Sequence, residues 1–250
     1  MISGLAFGRI ISQMSKERFE IFERLDELFR FMPPSFVMDG VLIDSIIPVV
    51  EEFNRRYGTN YKPGDLKGWN AIAGWAKRLG LSEIKASELD KELWSSPEIL
   101  IQSPPIPCAP DFMHSLDEQG IKPYFVTSRP PHLKNCTLEW LRREMPWIEE
   151  SHVCIREDEE ISGILFKARK INELQRRIHF EDSLEQAKTI LRLTEVHVVL
   201  LSYPEEFGTF QHPRLTEVQF PEGKARSLDY LYSVILNPDF MSHNVDKLLY

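Results

Sequence analysis

Three short apolar runs in this sequence each end in a cluster of polar side chains. The runs with their polar ends span residues 36–39, 124–128 and 178–182. From residue 107 onward, apolar strand patterns alternate with helical patterns, which is typical of a parallel sheet with crossover helices. The carboxyl ends of parallel strands lie along one edge of a doubly wound sheet, where ligands bind. The sequence therefore predicts an α/β fold, a Rossmann-like doubly wound parallel sheet, with one polar site at that edge.

The strands and helices of this predicted core have clear limits. Besides the first strand, strands are expected at 122–127, 152–155, 178–181 and 196–202, and helices at 110–118, 133–144, 166–176, 184–192 and 224–236. The segment Ser183-Leu184-Glu185-Gln186 is typical of a capping box, in which the two end side chains satisfy each other's backbone N–H groups. The box predicts a helix that begins directly after Asp182.

The stretch between the first two strands is mostly helical in pattern. Helices are expected at 46–57, ended by Gly58 as a cap, then around 69–79, at 87–93 and from Ser96, with Pro97 in the first turn. A helical block of about 60 residues is too long for a simple crossover connection. It predicts a helical insertion at 46–105, with the core formed by 35–45 plus 106–250.

Residues 1–34 form a predicted helical extension before the first strand. Apolar side chains recur at helical spacing over 14–32, and Pro33-Pro34 ends the pattern because proline cannot continue the helical hydrogen bonds. Such a helix either packs on the core or mediates self-association, so a homodimer is one expectation.

The composition argues against several classes of protein. Hydrophobic residues make up 42% and charged residues 27%, as in ordinary globular proteins. A net charge of −8 argues against a nucleic-acid polymer as partner, because such proteins present a basic face. Three scattered cysteines are too few for a disulfide framework. No apolar run approaches the about 18 residues of a membrane span, and no basic leader opens the chain, so we expect a cytoplasmic protein without membrane contact.

The segment Asp39-Gly40-Val41-Leu42 resembles the first motif of the haloacid dehalogenase (HAD) superfamily of phosphotransferases, whose pattern is Asp-x-Asp-Gly-Val/Thr-Leu. The match covers the second half of that pattern. The first Asp, which attacks phosphorus in the active phosphatases, is expected at position 37, where this sequence has Val37. The resemblance implies the fold and a phosphoryl ligand more directly than it implies turnover.

The resemblance also implies roles for residues of the later motifs. Thr127 stands where the family has a hydroxyl that hydrogen-bonds a phosphoryl oxygen. Lys167, 14 residues before Glu181, has the spacing of the family's phosphate-neutralising lysine, and Lys170 is a second candidate. Glu181 and Asp182 resemble the acidic pair that holds magnesium, with Asp39 as the third expected ligand.

Within the superfamily, the sequence is most similar to the 5′(3′)-deoxyribonucleotidase-like group over about 35–235. The similarity rests on the first motif, on Phe-Asn-x-x-Tyr-Gly at 53–58, on Val-Thr-Ser-Arg-Pro at 126–130 and on Glu-Asp-Ser-Leu-Glu-Gln-Ala at 181–187. It implies a nucleoside monophosphate as substrate. The residues expected to contact that substrate are Gly40, Ser128, Arg129 and, stacked on the base, Trp69, with Trp75 and Phe53 as further aromatic candidates that could equally be core.

Val37 decides what chemistry the resemblance permits. In the family, one Asp forms an aspartyl-phosphate, and the Asp two residues later, here Asp39, protonates the leaving group and then activates water. Val37 has no lone pair, and losing a nucleophile costs on the order of 10⁴–10⁶ in turnover. Asp44 is the expected start of the next helix rather than a replacement. A magnesium site built from the remaining carboxylates is expected to be weak or absent.

Three functional hypotheses therefore stay open. The first is a nucleotidase-like protein that binds a phosphorylated small molecule but has lost most of its turnover. The second is an active phosphatase, either because Val37 replaces the residue of the natural protein or because Asp39 activates water directly. The third is a non-catalytic interaction or structural module that uses the N-terminal helix and the helical insertion at 46–105, which the resemblance identifies as an inserted helical cap over the site.

Overall fold

The structure is a computed structural model that describes residues 29–30, 33–66, 70–107, 109–202 and 207–219. Most of the predicted N-terminal extension, Trp69 and the predicted helix at 224–236 lie outside the described residues.

Six parallel strands form one sheet in the order β3-β2-β1-β4-β5-β6. This is the doubly wound order in which the strands step outward in both directions from β1, and it confirms the predicted α/β fold class. The runs at 124–126 and 198–201 are continuously apolar, which is typical of parallel strands covered by helices on both faces of the sheet. The strands are β1 Ser35–Phe36, β2 Tyr124–Val126, β3 Val153–Cys154, β4 Ile178–Glu181, β5 His197–Ser202 and β6 Leu215–Gln219.

The described helices follow the predicted pattern closely. Two begin earlier than predicted because Ser82 and Ser162 accept backbone N–H groups of the first turn and so cap α3 and α7. The helices are α1 Ile46–Tyr57, α2 Ala71–Arg78, α3 Glu83–Trp94, α4 Pro97–Gln102, α5 Ala109–Glu118, α6 Lys134–Glu144, α7 Gly163–Glu173 and α8 Leu184–Leu193.

Of the three hydrophobic clusters in the described residues, two concern the sheet and the predicted insertion, and the third packs α7 and α8 against β5. One surrounds the sheet, where the rings of Phe36 and Phe180 stack with centroids 4.5 Å apart. The other lies within the predicted insertion and includes Phe53, Trp75 and Leu93 from three different helices. Because helices α1–α4 bury apolar side chains against one another, the insertion has a core of its own.

The two chain connections between the sheet and the insertion run side by side. Ile43 pairs with Pro105 in an isolated antiparallel bridge, and the Asp44 N–H donates to Pro104 O at 2.9 Å. Asp44 also accepts the Ile47 N–H at 3.4 Å, as expected of a residue at the start of a helix. At the far end of α1, Gly58 takes a φ of 64°, which is the left-handed conformation predicted for that cap.

Candidate functional site

The carboxyl ends of β1, β2 and β4 bring the predicted site segments together. Phe36 of β1 is in parallel register with Phe125 of β2 and with Phe180 of β4. The residues that follow these three positions therefore leave the sheet side by side. The topology thus brings the three predicted polar segments to one edge of the sheet, which is called the crevice below.

Val37 lies at the end of β1 as an apolar, buried side chain. It is 4% exposed and belongs to the hydrophobic cluster around the sheet. Its backbone N–H donates to Phe180 O at 3.0 Å, which extends the pairing of β1 with β4. The position at which the resemblance places a nucleophile is here part of the core.

Asp39 is held by a bidentate ion pair with Arg129. Nε of Arg129 donates to Oδ2 of Asp39 at 2.8 Å, and Nη2 donates to Oδ1 at 2.6 Å. The remaining guanidinium nitrogen, Nη1, donates to Thr137 Oγ1 at 2.9 Å. Both oxygens of Asp39, the predicted acid–base group, therefore accept hydrogen bonds from two N–H donors of the guanidinium, whose spacing matches a carboxylate. This pair of donors is called the Arg129 fork below.

The two hydroxyl groups after β2 have local partners. Thr127 Oγ1 accepts the Arg129 N–H at 3.2 Å, and Ser128 Oγ donates to Gln186 Oε1 at 2.9 Å. The second bond corrects the predicted capping box. Ser183 does accept the Gln186 N–H, at 3.4 Å, but the Gln186 side chain bonds Ser128 instead of returning to the helix start.

Lys167 and Glu181 form an ion pair in the interior. Lys167 Nζ lies 2.7 Å from Glu181 Oε2, and neither side chain is exposed. The other oxygen, Oε1, accepts the N–H groups of Asp182 and Ser183 at 3.0 and 3.2 Å. Burial raises the pKa of Glu181, but the Lys167 ammonium and His179 lower it further, so that the net shift is downward. Lys170 is not part of the site, because its ammonium pairs with Glu173 on the helix surface.

A buried histidine that the sequence interpretation missed extends this ion pair. His179 Nδ1 lies 2.9 Å from Ser35 Oγ, and its Nε2 lies 3.5 Å from Glu181 Oε2. Burial lowers the pKa of His179, and the Glu181 carboxylate opposes that shift. Residues two apart on a strand share a face, so a His two positions before Glu in an apolar strand was a usable signal.

Gly40 and Asp182 approach each other closely. Gly40 has a φ of 73°, and a Cβ built on it would overlap the Asp182 carboxyl group. The Asp182 side chain is only 1% exposed. Glycine therefore satisfies both the backbone conformation and the narrow space beside the acidic residue.

The carboxylates expected to bind magnesium do not fit that role in this arrangement. Both oxygens of Asp39 accept bonds from Arg129, and both oxygens of Glu181 accept bonds from Lys167 or backbone N–H groups. In the described part of the chain, no group of three or more His, Cys, Asp or Glu side chains is arranged to hold a metal ion. Magnesium binds through free carboxylate and carbonyl oxygens, which two of the three expected ligands lack.

The aromatic candidates for base stacking are mostly core residues. Phe53 is fully buried and Trp75 is 3% exposed, in the cluster of the insertion. The Trp75 ring stacks on Tyr61 with centroids 4.1 Å apart. The core alternative is thus correct for these two, while Trp69 lies outside the described residues.

Comparison with known proteins supports the fold. Residues 80–180 match the family model of the HAD superfamily, subfamily IIIB (acid phosphatase). The matched segment contains Thr127 and Lys167, but it begins after Asp39 and ends before Glu181. No curated protein matches by sequence. None of the described helices has the length and hydropathy of a membrane span.

Two solved structures share the fold over most of the chain, and both carry provisional functional names. One is a phosphoglycolate phosphatase from Lactobacillus delbrueckii subsp. bulgaricus ATCC BAA-365, at 15% identity and a TM-score of 0.51, covering 82% of this chain and 98% of that one. The other is the HAD-hydrolase YfnB from Bacillus subtilis, bound to magnesium, at 14% identity and a TM-score of 0.51, covering 81% and 97%. Residues 80–180 are therefore similar to the HAD superfamily, subfamily IIIB (acid phosphatase), and the two solved structures show a shared fold.

Proposed function

We propose that this chain binds a phosphorylated small molecule, such as a nucleoside monophosphate, in the crevice at the ends of β1, β2 and β4, and that it hydrolyses it slowly or not at all. The observation that carries the proposal is Val37, a buried apolar residue at the nucleophile position. It stands beside an Asp39 whose two oxygens are already engaged.

The phosphoryl class of ligand is supported by the set of side chains around the crevice. A hydroxyl after β2, a lysine on α7 and an acidic pair at the end of β4 come in the order of the HAD motifs. Residues 80–180 match a phosphatase family model independently of the first motif. The nucleotide is the finer part of the proposal, and it rests on the similarity of the short segments at 53–58, 126–130 and 181–187.

Slow turnover follows from the state of the three groups that would perform the chemistry. Val37 cannot attack phosphorus, because it has no lone pair. Asp39 would have to leave the Arg129 fork before it could protonate a leaving oxygen or activate water. Lys167 would have to leave Glu181 to neutralise a phosphoryl oxygen.

Binding without turnover also has a physical cost in this crevice. The Arg129 fork can grip a phosphate as well as a carboxylate, so a phosphoryl group competes with Asp39 for the same donors. The Asp39 side chain is 22% exposed, whereas that of Arg129 is 4% exposed, so the ligand meets the carboxylate first. We therefore expect weak but saturable binding.

A titration with parallel product analysis tests the proposal. The full chain is titrated with nucleoside monophosphates and sugar phosphates by NMR chemical-shift changes, and phosphate release is measured in the same samples. We expect saturable binding that inorganic phosphate competes, with release near background. Thr127→Val should weaken the binding, whereas the control Thr189→Val, whose hydroxyl donates to Glu185 O within α8, should not.

Two results would contradict the proposal. Rapid phosphate release by the unmodified chain would favour the active-phosphatase hypothesis. A lack of binding to every phosphorylated compound would favour the interaction module, which depends on a predicted N-terminal helix that lies mostly outside the described residues.

A further inference from the structure

We infer that the guanidinium of Arg129 is the resident counter-cation of the crevice and stands where a divalent metal ion would otherwise neutralise Asp39. The inference deepens the proposed function and rests on it. It concerns how this chain balances its own carboxylates, and it implies that phosphoryl ligands bind here without a requirement for magnesium.

Both the side chain and the backbone of Arg129 are hydrogen-bonded to neighbouring residues of the site. Its guanidinium bonds both oxygens of Asp39 and the hydroxyl of Thr137. Its backbone N–H donates to Thr127 Oγ1, and its carbonyl oxygen accepts a bond from Arg156 Nε at 3.4 Å. Side chain and backbone are thus both fixed, so little conformational freedom is lost when the fork engages a carboxylate.

Without a metal ion, the carboxylates of the crevice exceed its cations by one charge. Three carboxylates, those of Asp39, Glu181 and Asp182, face the two cations Arg129 and Lys167. Each cation is paired to one carboxylate within 2.8 Å. A divalent ion would have to displace a guanidinium or an ammonium to reach oxygens of Asp39 or Glu181. An Asp at position 37 would add a further carboxylate without a counter-charge to the crevice, whereas Val37 adds no charge.

The substitution Val37 and the Arg129 pair are therefore consistent with each other. Loss of one negative ligand weakens the attraction for a divalent ion, which needs several oxygen ligands. The carboxylate that remains at Asp39 is then satisfied by a monovalent cation from the protein itself.

Divalent-ion binding measured with Mn²⁺ tests the inference directly. The loss of the free Mn²⁺ signal in electron paramagnetic resonance is followed for the unmodified full chain, for Arg129→Gln and for the matched control Arg156→Gln. Arg156 donates to the backbone carbonyls of Arg129 and Ile161 and contacts no carboxylate through these bonds. We expect no saturable Mn²⁺ binding by the unmodified chain or by the control. Arg129→Gln should bind Mn²⁺ saturably and at least tenfold more tightly than the unmodified chain, which corresponds to about 1.4 kcal/mol.

A conservative variant keeps the test decisive if Arg129→Gln does not fold. Arg129→Lys keeps the charge but cannot grip both oxygens, so it should bind Mn²⁺ more tightly than the unmodified chain. Saturable Mn²⁺ binding by the unmodified chain would overturn the inference, and so would equal binding by Arg129 and Arg156 variants. Because this readout involves no phosphorylated compound, its failure is distinguishable from failure of the proposed function.

Discussion

Lys167 Nζ contacts Glu181 Oε2 at 2.7 Å, and both side chains are fully enclosed by the protein. The pair lies beside His179, which in turn reaches Ser35 on the neighbouring strand. A polar chain thus crosses from β1 to α7 through the interior, directly under the crevice. Its members support the site by fixing the position and charge of Glu181, next to Asp182.

Breaking this buried ion pair should strongly destabilise the fold. Lys167→Met leaves the Glu181 carboxylate without its counter-charge, which costs about 3–5 kcal/mol. The matched control is Lys170→Met on the same helix, whose surface pair with Glu173 contributes about 0–1 kcal/mol. Urea denaturation measures both free energies of unfolding. Equal losses in the two variants would show that Lys167 is not held as described.

The same polar chain predicts that stability falls in mild acid. Burial lowers the pKa of His179 below its ordinary 6.5, so the unfolded chain binds the proton more readily and stability declines as the pH falls below 6.5. Glu181 has a lowered pKa, so its contribution is present above its ordinary 4.5 and is lost below it.

Substitution of the histidine separates these two titrations. His179→Gln keeps a polar side chain near Ser35 but removes the group that titrates. We expect thermal melts of this variant to lose the decline between pH 6.5 and 4.5 and to keep the decline below 4.5. Superimposable pH profiles for the variant and the parent chain would contradict the role given to His179.

Gly40 and Gly58 both have positive φ angles but differ in their surroundings. Gly58→Ala meets nothing within 4 Å and should cost about 1–2 kcal/mol for the left-handed backbone alone. Gly40→Ala must also displace the Asp182 carboxyl, so we expect at least about 3 kcal/mol. Chemical denaturation of the two variants compares them. A cost for Gly40→Ala no larger than that for Gly58→Ala would mean that Asp182 moves aside easily.

The fold and the meeting of the site segments were predictable because their signals are local. Strand β4 and helix α1 have the predicted limits, since an apolar run and a helical stripe with a Gly cap need no distant partner. The shared edge then follows from the parallel topology. The starts of α3 and α7 differ from the prediction because the pattern does not identify Ser82 and Ser162 as their caps.

The choice of side-chain partners was not predictable in the same way. Asp39 and Arg129 are 90 residues apart, and Ser128 and Gln186 are 58 apart. The sequence shows that each could bond to many groups, and only the packed structure selects one. Hence Arg129 was predicted to contact substrate, Gln186 to close a capping box and Asp39 to act on a leaving group, whereas the structure gives each an internal partner.

We propose that Val37 prevents the hydrolysis of a phosphorylated small molecule in a crevice that otherwise resembles that of the HAD phosphatases. Phosphate release from a panel of nucleoside monophosphates, measured with magnesium for the parent chain and for Val37→Asp, tests it most directly. We expect a parent at background and a gain of up to about 10⁴-fold in the variant, the lower cost of losing a nucleophile, because Asp39 and Lys167 still have to leave their internal partners. A parent chain that releases phosphate as fast as Val37→Asp would contradict the account.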